Sequence, residues 1–138
     1  MLNLDKYFLP QYKYFLKNIN YEKLDTDKID KNVSMQCVDK ISVEIIENRE
    51  LSVVFTRKLE FKPEYAFTLS VSYGVILTFN NETKNEINWV DYDLTNEIIA
   101  GGAKYISSLI SRASLQIAQI TSTFGKNPII TPPNFIKS

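Results

Sequence analysis

Apolar side chains recur at every second position through three stretches of the chain. Met35, Cys37, Ile41, Val43 and Ile45 share one parity, with Asp39 as the exception. Leu51, Val53, Phe55, Leu59 and Phe61 follow the same rule against Ser52, Thr56, Lys58, Glu60 and Lys62. Tyr65, Phe67, Leu69, Val71, Tyr73, Val75, Leu77 and Phe79 alternate without a break. A period of two sends neighbouring side chains to opposite faces, so each stretch predicts a strand with one buried side. The links between them, Asn48-Arg49 and Pro63-Glu64, are short enough to join only antiparallel neighbours. An earlier segment, Tyr14 to Leu24, is rich in Tyr and Phe and predicts a fourth strand of weaker alternation. The polar stretch Asp25–Asn32 is expected to be a long crossing loop. Together these elements predict a four-stranded antiparallel meander.

The period then changes. After Asp93, a predicted N-cap, apolar residues fall at Ile99, Ala103, Ile106, Ile110, Ala113, Ile117, Ile120 and Phe124. Those intervals alternate four and three, which is a helix seam. A helix of about 30 residues would span about 45 Å, so a bend is expected near Gly101-Gly102 or near Ser111. Gly125 followed by Pro128 forms the stop signal. Prolines 128, 132 and 133 require the remainder to be extended. The reading is an α+β chain forming a single domain, residues 1–138. It comprises an N-terminal arm (1–13), a four-stranded sheet (14–80), helices (91–124) and an extended Pro-rich tail (125–138).

Charge sharpens this picture because it is balanced overall and uneven along the chain. The 138 residues carry 16 basic and 16 acidic groups. Residues 1–64 hold 11 of each, residues 65–138 hold 5 of each, and no acid follows Glu97. A neutral total argues against a nucleic-acid domain, which carries a basic excess. The flanks of the helix seam carry charge only at Lys104 and Arg112 and are rich in hydroxyls (Ser107, Ser108, Ser111, Ser114, Thr121, Ser122, Thr123), and the outer parity of the last strand is likewise uncharged and small. A solvated helix carries many ion pairs, so two readings are weighed: a bland surface, or a face covered by other subunits or by an unfolded polypeptide. No basic-then-apolar leader and no apolar run of membrane-spanning length occurs, so a soluble intracellular protein is expected.

Candidate chemistry is sparse. The chain has no histidine, which removes the usual base near neutral pH, and a lone Cys37 that no histidine could activate. The acids Asp25, Asp27 and Asp30, and the pair Asp91 and Asp93, lack the glycine turn and bidentate Glu of a calcium loop and read as solvated acids or, at Asp93, a helix cap. Gly101-Gly102 follows no phosphate-loop pattern. Rings interleave with lysine from Tyr7 to Phe15, but a core or interface strand explains them better than RNA stacking. No enzyme, metal or cofactor is expected. A closed pocket converging on polar groups would revive a small-ligand reading.

Four antiparallel strands, a long helical region and the ending Ile120-Thr121…Gly125…Pro128-Ile129-Ile130-Thr131-Pro132-Pro133-Asn134-Phe135 resemble the SecB family of export chaperones. The resemblance spans residues 14–136 and is specific over 117–136. It implies a cytoplasmic, ATP-independent holdase that forms homotetramers as dimers of dimers, with helices between two outer sheets. Its partners would be unfolded or nascent polypeptides held in apolar grooves, without nucleic acid or membrane insertion. By position, the groove is sought among Tyr12, Tyr14, Phe15, Ile41, Val43, Trp89, Tyr92, Ile98, Tyr105 and Ile106. The oligomer interface is sought on Ile99, Ala103, Ile106, Ile110, Ala113 and Ile117. Positions corresponding to the family's contacts with the SecA motor are Asn18, Glu22 and Ser70, of which only Glu22 is acidic. That favours holding clients, a labile antitoxin among them, over delivering them to SecA. A scaffold that binds one folded partner on the same fold is the alternative.

Overall fold

The computed structural model describes residues 2–24, 32–125 and 127–136. A single helical turn, α1 (Leu4–Tyr7), leads into four strands, β1 (Phe8–Lys23), β2 (Ser34–Ile46), β3 (Glu50–Lys62) and β4 (Phe67–Phe79). All pairs are antiparallel, in the order β1-β4-β3-β2. The α+β class and the four-stranded antiparallel sheet are as expected, but the meander is confined to β2, β3 and β4. The first strand pairs with the last, Tyr14 facing Val75 and Tyr21 facing Leu69, which places β1 and β2 at opposite edges. The physical reason is the length of the first connection: β1 and β2 are too far apart in sequence for a hairpin, and a longer link lets the chain reach the far edge. The crossing loop predicted at 25–32 lies outside the described residues except for Asn32. The other links are tight. Glu47 and Asn48 both take left-handed φ values (51° and 56°), the mirror-image backbone that matches strand twist in a tight hairpin.

Strand β1 begins at Phe8, inside the segment read as an arm, and its weak alternation has a cause. The register shifts between Leu16 and Asn18. One extra residue there flips the parity of everything beyond it. Tyr12, Tyr14 and Leu16 pair opposite Leu77, Val75 and Tyr73 before the bulge, and Ile19 and Tyr21 opposite Val71 and Leu69 after it. All five therefore face the same side, the side that carries the helices.

Two helices follow, α2 (Leu94–Gly101) and α3 (Ala103–Ser122), so the break falls at Gly102 and not at Ser111. Asp93 caps α2 through its carboxylate, which accepts from the Asn96 N–H. A Cβ at Gly102 would stand 2.7 Å from the Ile98 carbonyl oxygen and 3.4 Å from Leu4 Cδ1, so the break is also where α1 packs in. The α3 stripe Tyr105, Ile106, Leu109, Ile110, Ala113 and Ile117 is buried against the inward side chains of β3 and β4, among them Val53, Phe55, Leu69, Val71 and Val75. Past the helix end, Gly125 takes φ +79°, open to glycine at no steric cost.

The extended tail is held by a buried ion pair. Asp39 and Arg57 face each other in the β2–β3 register, and both side chains are fully buried (0% exposed). Arg57 Nε donates to Asp39 Oδ1 at 2.8 Å and Nη2 to Oδ2 at 2.7 Å. The other guanidinium protons go to Thr131 Oγ1 (3.0 Å), the Pro132 carbonyl (2.6 Å), the Asn134 carbonyl (2.9 Å) and Ser114 Oγ of α3 (3.3 Å). Asp39 Oδ2 also accepts the Ile136 N–H at 2.8 Å. Burying two charges is costly, and only such full satisfaction of donors and acceptors sustains it.

Candidate functional site

The residues sought for a groove divide into three groups. Tyr12, Tyr14, Trp89 and Tyr92 remain at least partly accessible, and the first two build one aromatic patch. The Tyr12 ring meets Tyr14 and Tyr105 edge-on at 5.6 and 5.1 Å, and the Arg112 guanidinium lies 4.1 Å from the Tyr14 ring centre. Trp89 sits apart, against Tyr7, Phe8 and Phe79, with its indole N–H donated to the Lys84 carbonyl at 2.8 Å. Ile41, Ile98, Tyr105 and Ile106 belong to the core, Ile98 and Tyr105 almost wholly enclosed, although Tyr105 also lines a small cavity beside Tyr12, Phe8 and Lys104. Burial pushes the Tyr105 hydroxyl above its ordinary pKa, as removal from water disfavours the phenolate. Phe15 lies on the opposite face, its ring over Gly74, where an added Cβ would come within 2.3 Å of it. Val43 is half-buried on β2, at the edge of the sheet remote from Tyr12 and Tyr14.

The helix seam sought as an oligomer interface is used within the chain. Ile106, Ile110, Ala113 and Ile117 are buried on the sheet, Ile99 is half-buried, and Ala103 is exposed but carries only a methyl group. One apolar stripe serves one partner, and the sheet of the same chain claims it. What stays uncovered is different. Leu16, Ile19 and Tyr21 on β1 and Leu115 on α3 are exposed, Leu16 to 47% and Leu115 to 62%. Tyr21 also touches Phe67 and Phe124 near the end of α3 (5.7 and 5.4 Å). Leu16, Ile19 and Tyr21 lie in the segment of weak alternation, and the switch of parity between Leu16 and Ile19 is the faint trace of the bulge that aligns them. The Asp39–Arg57 pair left a clearer one: Asp39 breaks an apolar parity on β2, and Arg57 sits on the inward parity between Phe55 and Leu59.

On the outer face, Asn18 and Glu22 lie on β1 opposite Ser72 and Thr68, with Ser70 between those two on β4. The three positions thus share one patch that holds a single carboxylate. Asp93 is occupied as a cap, and Asp25, Asp27 and Asp30 lie outside the described residues. The Cys37 thiol is pushed up in pKa, first by burial. A cavity of about 260 Å³ is lined by Phe61, Tyr65, Ala66, Phe67, Thr121, Phe124, Asn127 and Ile129, a mostly apolar wall with no carboxylate or cationic side chain. Among the described residues, no helix is long and apolar enough to cross a membrane.

No family model matches the chain, and no curated protein matches it either. Among solved structures, it is similar to the Mycobacterium tuberculosis Rv1957 SecB-like chaperone in complex with a ChAD peptide from the Rv1956 HigA1 antitoxin. The TM-score is 0.65 over 88% of each chain, at 11% sequence identity. With the sheet order, the helices and the docked tail in place, the fold is that of a SecB-like protein.

Proposed function

We propose that this protein is an ATP-independent holdase that keeps polypeptides unfolded, as a cytoplasmic homotetramer in which two sheets enclose the helices. The observation that carries the reading is the apolar strip of β1, with Tyr12, Leu16, Ile19 and Tyr21 on the helix side of a core that is otherwise complete. A strip of rings and branched chains beside a long exposed strand edge offers burial to another subunit or to an extended client, with little demand on sequence. The aromatic patch at Tyr12 and Tyr14 and the exposed Tyr92 are its first candidates for client contact. A labile antitoxin is a suitable client, since the similar mycobacterial protein is seen with an antitoxin peptide. Hand-over to SecA is the weaker extension, because the patch at Asn18, Glu22 and Ser70 presents one carboxylate. This reading calls for neither catalysis nor a cofactor.

Light scattering is expected to give about 64 kDa for four chains of 15.9 kDa, and the protein is expected to suppress aggregation of a denatured polypeptide. A monomer without effect at stoichiometric excess would sink the reading. A scaffold role would instead show as capture of one folded partner that unfolded peptides do not displace.

A further inference from the structure

The tail is gripped by its main chain. Pro132, Pro133 and Asn134 expose their side chains, while the carbonyls of Pro132 and Asn134 accept from Arg57 and the N–H of Ile136 donates to Asp39. These three groups fall at residues i, i+2 and i+4. The chain bends at Pro133-Asn134, so the two carbonyls and the amide converge on the ion pair, and any polypeptide that takes the same bend presents the same groups. Only two side chains of the segment add to the hold: Thr131, whose hydroxyl meets Arg57 and Ser114, and Phe135, whose ring centre lies 6.3 Å from that of Phe55. A site that reads carbonyls and an amide cannot tell this tail by chemistry from another segment that bends in the same way. What favours the tail is its attachment to the same chain, which acts as a high effective concentration. A client already bound elsewhere on the molecule has the same advantage.

We propose that residues 131–136 fill a peptide-binding site in cis, and that a segment of an unfolded polypeptide able to take the same bend exchanges with them over the Asp39–Arg57 pair. The incoming segment places carbonyls at alternate residues on the guanidinium and an N–H on the carboxylate, so the buried pair is never left bare. The best entrant has a small hydroxyl residue and an aromatic four positions later, in the spacing of Thr131 and Phe135. This deepens the holdase reading and rests on it only for the identity of the entering segment.

The test uses the full chain and a fluorescent peptide with the sequence of residues 129–136. Thr131→Ala and Phe135→Ala, singly and together, weaken the tail while keeping Arg57, Asp39 and both carbonyls; melting by circular dichroism verifies that each variant is folded. Fluorescence anisotropy is expected to show the peptide binding the double variant about tenfold more tightly than the wild type, or better, and a denatured polypeptide should displace it. Equal affinity for wild type and variant, no binding to a folded variant, or bound peptide that denatured polypeptide does not displace would each overturn the proposal. Aggregation suppression by the wild type, measured in parallel, bears on the holdase reading alone.

Discussion

The two flanks of α3 treat the helix-facing side of the sheet in opposite ways. Toward β2, polar groups are buried: Asp39 and Arg57 are fully enclosed, and the tail of the same chain supplies their remaining partners. Toward β1, apolar groups stay exposed at Tyr12, Leu16, Ile19 and Tyr21, only partly covered by Tyr105 and Phe124. An unpaired buried charge costs several kcal/mol, so that flank has to stay covered, and in the folded chain its own tail covers it. Exposed rings and leucines cost far less, so the other flank can wait for a second chain. One flank is finished by folding, and the other is left for association.

The comparison breaks hardest at Arg57. Arg57→Met leaves Asp39 buried without its partner and is expected to cost about 3–5 kcal/mol in urea unfolding. Adding Asp39→Leu should recover much of that loss, because the stranded charge is gone; no recovery would mean the pair is not the source of the cost. Next is the anchor of β1 on the outer face. Gly74→Ala drives a methyl group into the Phe15 ring and should cost about 1–3 kcal/mol, falling to near zero in a Phe15→Ala background. A smaller effect, about 1 kcal/mol, is expected for Asp93→Ala, which removes the α2 cap without touching either flank. Leu16→Ser and Leu115→Ser should shift folding stability by about 0.5 kcal/mol or less, while the particle size and client suppression fall away. A large loss of folding stability in those variants would show that the β1 flank is already covered within the chain.

The finest probe is chemical. Burial raises the Cys37 pKa from its ordinary 9.0, so its alkylation should lag behind a free thiol at pH 8 and rise only at higher pH. A thiol protonated more tightly in the folded state contributes stability below the unfolded pKa. That contribution fades as pH rises through the folded value. The Arg57 charge lowers the Cys37 pKa against burial, so Arg57→Met in a variant that stays folded should move the alkylation profile to still higher pH.

Much of this architecture was legible in the alternation of β2, β3 and β4 and in the three-four seam of α3, because both patterns record one buried face. The cap at Asp93 and the stop at Gly125 were legible for the same local reason: a side-chain oxygen and a missing Cβ act within a few residues. The expected groove fared differently. Ile41, Ile98, Tyr105 and Ile106 are apolar residues that the core claims, and Phe15 faces the other way, since a resemblance in sequence order carries no record of which apolar residue meets water. The Asp39–Arg57 pair was visible only as two interruptions of two separate patterns.

By itself, the sequence determined which segments become strands and helices and which of their faces are apolar, since these depend on periods of a few residues. Only the tertiary structure decided that β1 crosses to pair with β4, that a bulge after Leu16 turns Tyr12 through Tyr21 to one side, and that the tail returns to complete a buried charge pair. Each of these joins groups far apart in the chain, where no local period reports the contact and only the geometry of the folded sheet brings them within hydrogen-bonding distance.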